Sequence, residues 1–244
     1  MRLHILGSGG GAPSGTRETA CYLLRAEERA LLLDAGTGAR RLITNPELLD
    51  GVRELQIVLT HFHLDHVCGL PYLTGIDAVL TIWAPGRWLY DRDAAQILEP
   101  LRTQPIAPRD HTSVAAVREL RAGEQEIAGF RVRASPQLRH WSPSAGLRID
   151  DGLALITDTP YETSSASLAD GVAALLHEAW STSSAPIHPE HDATAADAAR
   201  VAREADVGRL TLIHLNPALP DHAEVLADAL AGFEPASLAV EECG

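Results

Sequence analysis

Apolar positions along this chain come in short runs broken by glycine, proline or charge. Leu3–Leu6, Cys21–Leu24, Ala30–Leu33 and Gln56–Thr60 read as early strands. Val67–Leu73 has the spacing of a short helix, and Ala78–Trp83 reads as another strand. Residues 86–115 are less regular, because Pro100, Pro105 and Pro108 follow Pro85 and break any long element. Helix and loop are expected there. Arg131–Ala134, Leu147–Ile149, Leu153–Thr157 and Ala173–Leu176 again have strand character. The clearest helix runs from about Ala193 to Ala205, with Ala198, Val201, Ala202 and Ala205 at i, i+3, i+4, i+7 and Asp192 or Thr194 as its cap. A strand at Arg209–Leu215, a helix at His222–Ala231 and a strand at Ser237–Val240 close the chain. Strands followed by mixed strand–helix units thus occur twice in outline. No linker separates the halves, so one domain over residues 1–244 is expected. It is of the α/β (α+β) class, with a two-layer sheet core flanked by helices.

Composition narrows the picture. The 244 residues, 45% hydrophobic and 22% charged, suit a soluble globular unit with a sizeable core. No run of about 18 apolar residues is present to span a membrane. The opening MRLHILGSGG lacks the features of a secretory signal, and a cytoplasmic protein is expected. Cys21, Cys68 and Cys243 are an odd, scattered set, unlike a disulfide framework or thiolate zinc cage. The net charge is −13, and all 20 basic residues are arginine. Without lysine, Schiff-base and phosphate-loop-lysine chemistry are excluded. The acidic balance argues against an extended nucleic-acid partner, whose phosphates need clustered positive charge.

The chemistry concentrates in THFHLDHVCGLP, Thr60–Pro71. His61 and His63 end an apolar strand and, two apart in extended chain, point to the same side. Asp65 and His66 follow the turn into a helix and face a neighbouring point. Imidazole and carboxylate suit zinc, manganese or iron, and a two-and-two split suits two ions about 3.5–4 Å apart. The irregular 86–115 segment is expected to lie over this site.

THFHLDH resembles the HxHxDH signature of the metallo-β-lactamase superfamily. LGSGGGAP and LLLDAGTG are similar to that family's opening strands and turns. The resemblance implies a four-layer αββα sandwich with two divalent metal ions, Zn2+ by preference and Mn2+ or Fe2+ as alternatives, at one sheet edge. It also implies the remaining ligands. His140 in LRHWSPSAGLRI resembles the third histidine of the first metal site, Asp158 in LITDTP the bridging aspartate, and His214 in LTLIHLNP the last histidine. His61, His63 and His140 would then hold one ion and Asp65, His66 and His214 the other, with Asp158 and a hydroxide between.

LLHEAW, Leu175–Trp180, resembles the HEAT motif of ribonuclease Z and its phosphodiesterase relatives. There a glutamate pairs with a histidine that protonates the leaving oxygen. Glu178 matches the glutamate and His191, in HDATAADAARVA, the histidine. Asp65 would steer the hydroxide as well as bind metal. The transfer RNA-gripping arm of ribonuclease Z lies between the third histidine and the bridging aspartate; here those positions are only 18 apart. A phosphodiesterase for a small substrate, such as a cyclic nucleotide or cyclic ribose phosphate, is therefore the expected activity. Relatives in this branch often form dimers, so a homodimer is an expectation of the resemblance alone. The rival readings are a lactone, β-lactam or thioester hydrolase, a transfer RNA 3′-processing enzyme, and a non-catalytic binding protein.

Other residues are weaker candidates. Ser8, Gly9 and Gly10 could offer backbone N–H groups to a phosphate. Arg17, Arg139 and Arg148 could clamp one. Trp141, Trp88 or Tyr90 could stack on a ring, although core packing is the commoner role. Cys68 reads as a small buried hydrophobe. His4, His111, His177, His188 and His222 have no motif support and read as exposed or structural.

Overall fold

In the computed structural model of the chain, residues 1–107, 114–219 and 221–242 are described; Pro108, His111 and Cys243 lie outside them. The first sheet runs in sequence order through β1 (Arg2–Gly7), β2 (Cys21–Ala26), β3 (Arg29–Leu33), β4 (Glu54–Val58), β5 (Val79–Ala84) and β6 (Val114–Glu119). β1–β3 pair antiparallel, and β3–β6 pair parallel. The second sheet contains β7 (Gly123–Ile127), β8 (Phe130–Gln137), β9 (Ser144–Ile149), β10 (Leu153–Ile156), β11 (Ala174–Glu178), β12 (Leu210–Ile213) and β13 (Ala236–Leu238), also in sequential order. β7–β10 pair antiparallel, and β10–β13 pair parallel. The α-helices are α1 (Arg41–Thr44), α2 (Leu64–Val67), α3 (Gly86–Tyr90), α4 (Ala94–Arg102), α5 (Thr163–Ala169), α6 (Ala195–Glu204) and α7 (Ala223–Gly232).

Layering follows from side-chain alternation. In β2, Tyr22 and Leu24 point between the sheets while Cys21 and Leu23 point outward. Inward residues from both sheets, including Leu31, Leu33, Val58, Phe130, Val132, Leu147 and Leu155, form the central core. Leu32, Leu55, Ile57 and Ile82 face outward beneath α1, α2 and α4, and Ala154, Ile156, Leu175 and Leu212 beneath α5, α6 and α7. The outcome is the expected four-layer αββα sandwich. Both faces of each sheet are buried, which is why the central strands read as unbroken apolar runs.

The 193–205 helix forms as α6, with Ala198, Val201 and Ala202 buried. Its cap is Thr194 rather than Asp192. The Thr194 hydroxyl accepts from Asp197 N at 3.2 Å, and the Asp197 carboxylate accepts from Thr194 N at 3.0 Å. Segment 86–115 holds the expected helix, as α3 and α4, but not in the expected place over the site. α4 buries Ala94 and Leu98 in the outer core of the first sheet, and Val114 begins edge strand β6, so these parts are scaffold and not a cover. Among the described residues no helix is long and apolar enough to cross a membrane.

Candidate metal centre

The site forms where parallel strands end. Asp34 follows β3, Thr60–His66 follow β4, Asp158 follows β10, Glu178 ends β11 and His214 follows β12. Asp34, Asp158 and His214 carry positive φ values of 56°, 54° and 48°. That conformation is uncommon for residues with a Cβ and is strained unless the surroundings enforce it. Each strand therefore turns sharply as it releases its polar side chain into the inter-strand crevice.

All seven residues expected to ligate metal converge. Asp158 Oδ1 lies 3.6 Å from His61 Nε2, 3.9 Å from His63 Nδ1 and 3.4 Å from His140 Nε2. Its Oδ2 lies 3.3 Å from His66 Nε2. Asp65 Oδ2 is 3.3 Å from His66 Nε2 and 3.1 Å from His214 Nε2. His66 and His214 bring their Nε2 atoms within 3.2 Å of each other. Asp158 Oδ1 also lies 3.6 Å from His214 Nε2, so the aspartate reaches histidines of both expected donor sets, His61/His63/His140 and Asp65/His66/His214. The donor chemistry fits divalent cations of the zinc, manganese or iron type. His61 Nε2, fully buried, has no hydrogen-bond partner among the described residues, as fits a nitrogen reserved for a cation.

Behind four of the histidines an oxygen faces Nδ1 and leaves Nε2 to the site. His61 Nδ1 is 3.0 Å from Thr60 Oγ1, whose hydroxyl donates to Asp34. His66 Nδ1 is 2.8 Å from Asp34 Oδ2. His140 Nδ1 is 3.1 Å from Asp192 Oδ1 and 3.0 Å from the carbonyl of His191. His214 Nδ1 is 3.4 Å from Glu178 Oε2. Such contacts fix the tautomer and ring orientation and raise the basicity of the donor nitrogen. Asp34, Asp192 and Thr60 were not singled out as site residues from sequence. The available signal was Asp34 itself, a carboxylate immediately after the apolar run LLL.

Electrostatics match this geometry. Burial works against the charged rings of His66 and His214, but Asp158 and Asp65 outweigh it and raise both well above the ordinary imidazole range. His140, opposed by burial and supported by Asp192 and Asp158, rises to about 9. Burial would raise the Asp65 and Asp158 carboxyls, yet the surrounding imidazoles hold both well below the usual carboxylate range. His61 moves the other way: its burial dominates the pull of Asp158.

Glu178 and His191 do not pair as expected. Glu178 is fully buried; its Oε1 accepts from Thr159 N at 2.8 Å and Ala193 N at 3.1 Å, and its Oε2 faces His214. It supports a candidate ligand. His191 instead places Nδ1 2.9 Å from the carbonyl of Arg139 and stacks on Trp141 with centroids 3.7 Å apart. The reason is spatial. β11 delivers Glu178 beneath the neighbouring strand end of β12, whereas His191 precedes α6 and closes on the His140 loop.

The weaker candidates also sort out. The N–H groups of Ser8, Gly9 and Gly10 are taken by Glu18 O, Glu241 and Leu215 O, so they do not present themselves to a phosphate. Arg17 is tied to Ser8 and the Ala239 carbonyl. Arg148 is tied to Asp151 and the carbonyls of Asp150, Leu168 and Asp170. Arg139 is exposed, with one contact to Tyr161 O. Trp88 packs in the central core and donates to Leu120 O, and Tyr90 donates to Pro143 O. Trp141 alone of the three aromatics is largely exposed, at 63%. Cys68 is half-buried.

Two stacked mixed sheets carrying a histidine–aspartate cluster at their parallel strand ends define a class of metal-dependent hydrolase. Residues 29–215 match the family described as "Beta-lactamase superfamily domain", and the chain belongs to this metallo-β-lactamase superfamily. A ribonuclease Z of Metallosphaera sedula is 29% identical, covering 99% of this chain and 97% of its own. Among solved structures, the metallo-β-lactamase fold protein YhfI of Bacillus subtilis aligns with a TM-score of 0.80 at 21% identity, over 99% of this chain and 96% of its own. A diphosphatase from the PhnP family aligns with a TM-score of 0.73 at 19% identity, over 99% and 95%. The fold and the cluster together imply divalent metal ions.

Proposed function

We propose that this chain is a dinuclear phosphodiesterase acting on small phosphodiesters. The observation that carries the reading is the position of Asp158, whose Oδ1 lies 3.4 Å from His140 Nε2 and 3.6 Å from both His61 Nε2 and His214 Nε2, and whose Oδ2 lies 3.3 Å from His66 Nε2. His61, His63 and His140 would hold one ion and Asp65, His66 and His214 the other, with Asp158 shared; zinc is the expected metal. When bound, the ions supply Lewis-acid neutralisation of phosphoryl charge and lower the pKa of a coordinated water.

The remaining work falls to the chain. Asp65, held far below the ordinary carboxylate range, stays ionised and orients the attacking water by hydrogen bonding. Gly11 N donates to Asp65 Oδ2 at 2.7 Å and fixes that carboxylate. His191 is the general acid for the leaving alkoxide. Its Nδ1 contact with Arg139 O leaves Nε2 as the transferring nitrogen, and Trp141 limits rotation of the ring. Arg139 and Trp141, not Glu178, are thus its positioning groups. Only the β9–β10 hairpin lies between His140 and Asp158, which favours a small substrate over transfer RNA.

The test is a substrate panel with metal analysis on the same sample: bis(p-nitrophenyl) phosphate, cyclic nucleotides, cyclic ribose phosphates, short RNA and lactones. Turnover of small diesters by metal-loaded protein supports the reading. Turnover confined to lactones, or to RNA, overturns it.

A further inference from the structure

Glu241, near the end of the chain, is buried far from any motif and makes an unusually complete set of contacts. Its Oε1 accepts from Ser8 N at 2.8 Å, Ser8 Oγ at 2.9 Å and Glu18 N at 3.1 Å. Its Oε2 takes a hydrogen bond from Arg41 Nη2 at 2.8 Å, and the Glu241 side chain is only 4% exposed. The tail that carries it crosses the sandwich edge. Ala239 N donates to Leu212 O in the second sheet, and Glu242 N donates to Ile5 O in the first.

The turn held by Glu241 reaches the site at two points. Gly11 N donates to Asp65 Oδ2 at 2.7 Å. Gly10 N donates to Leu215 O and Leu215 N donates to Ser8 O, which brackets His214. Gly10 packs so closely that a Cβ there would fall 2.6 Å from the His214 ring. Asp65 and His214 belong to the same donor set. His61, His63 and His140 make no such contact with the turn among the described residues.

We infer that Glu241 is a positioning residue for the Asp65/His66/His214 half of the site, acting through the Ser8–Gly11 turn. The inference rests on the metal reading of the site and is independent of the substrate. Removing this buried carboxylate takes the acceptor from the Ser8 hydroxyl and the Glu18 N–H and the ion-pair partner from Arg41. In Glu241→Gln the Oε1 contacts survive, while the new NH2 group faces the Arg41 guanidinium.

The test equilibrates full-length wild type, Glu241→Gln and Glu241→Ala against a series of chelator-buffered zinc concentrations and counts zinc per chain, with circular dichroism to confirm folding. The expected result is a second zinc weakened by about tenfold to a hundredfold, the effect usual for outer-shell partners, with the first zinc held at wild-type strength. Equal weakening of both zincs, or no change in either, overturns the inference. Should the Glu241 variants fail to fold, Ser8→Ala removes the hydroxyl's bonds to Glu241 and Arg17 while keeping the Ser8 N–H contact to Glu241; it must weaken the second zinc selectively, and any other pattern overturns the inference. A wild-type chain that takes up no zinc overturns the metal reading itself, an outcome distinct from all of these.

Discussion

Glu178 Oε2 lies 3.4 Å from His214 Nδ1, at the floor of the site and on the side of the imidazole opposite Asp65. A carboxylate behind a ligating histidine raises the donor strength of its other nitrogen, and losing it typically weakens metal binding 10–100-fold. Glu178→Gln keeps an oxygen for the N–H groups of Thr159 and Ala193. It should lower zinc affinity by that factor and slow alkyl and aryl diesters equally. Zinc titration alongside two substrates checks this. A loss confined to alkyl esters would return Glu178 to orienting the general acid.

His191→Ala should slow an alkyl diester about 10²–10⁴-fold, the usual worth of general-acid catalysis. Bis(p-nitrophenyl) phosphate, whose leaving group needs no proton, should be far less affected. Steady-state kcat/KM on the two substrates reads the difference. Equal losses would remove the acid role.

Gly10→Ala should damage the site with little effect on the fold. The added Cβ would meet the His214 ring at 2.6 Å, closer than any relaxed contact. The ring or the turn must shift from its present contact, and the expected result is loss of one zinc per chain and of activity, with an unchanged circular dichroism spectrum. Retention of two zincs would show that His214 is not a ligand.

His177 gives a pH signature separate from catalysis. The ring is fully buried, with Nδ1 2.9 Å from Glu178 O, and burial pulls its pKa down to about 4. In the unfolded chain an imidazole titrates near 6.5. Between these values the unfolded state binds the extra proton, so stability falls as pH drops from about 6.5 toward 4. This residue has no effect above that window. The loss amounts to about 3 kcal/mol at the low end. Urea unfolding of wild type and His177→Asn at pH 7 and pH 4.5 checks it. The variant should lose roughly 2–3 kcal/mol less across that interval, and identical losses would refute the assignment.

Much of the fold and four of the seven candidate ligands were legible because local pattern and chemistry coincide there, whereas His140, Asp158 and His214 followed only from the family resemblance. Apolar runs such as Ala30–Leu33 and Gln56–Thr60 read as strands, and HFHLDH compresses four donors into one turn. Other elements were not legible. β7 is the polar edge strand GEQEI, α5 is the serine-rich TSSASLA, and β6 follows a proline-broken segment; none has a strong apolar period. The partner of Glu178 was misassigned because the resemblance pairs positions along the chain, while the contact is set by the register of β11 beside β12. Glu241 was invisible for the same reason: its partners Ser8, Glu18 and Arg41 are at least 200 residues away.

The central claim is that seven side chains hold two cations around Asp158. Anomalous diffraction from crystals of the zinc-loaded protein, collected at the zinc edge, tests it most directly. The expected map has two peaks about 3.5–4 Å apart, one against His61, His63 and His140 and the other against Asp65, His66 and His214, with Asp158 reaching both. A single peak, or zinc bound away from Asp158, would contradict the account.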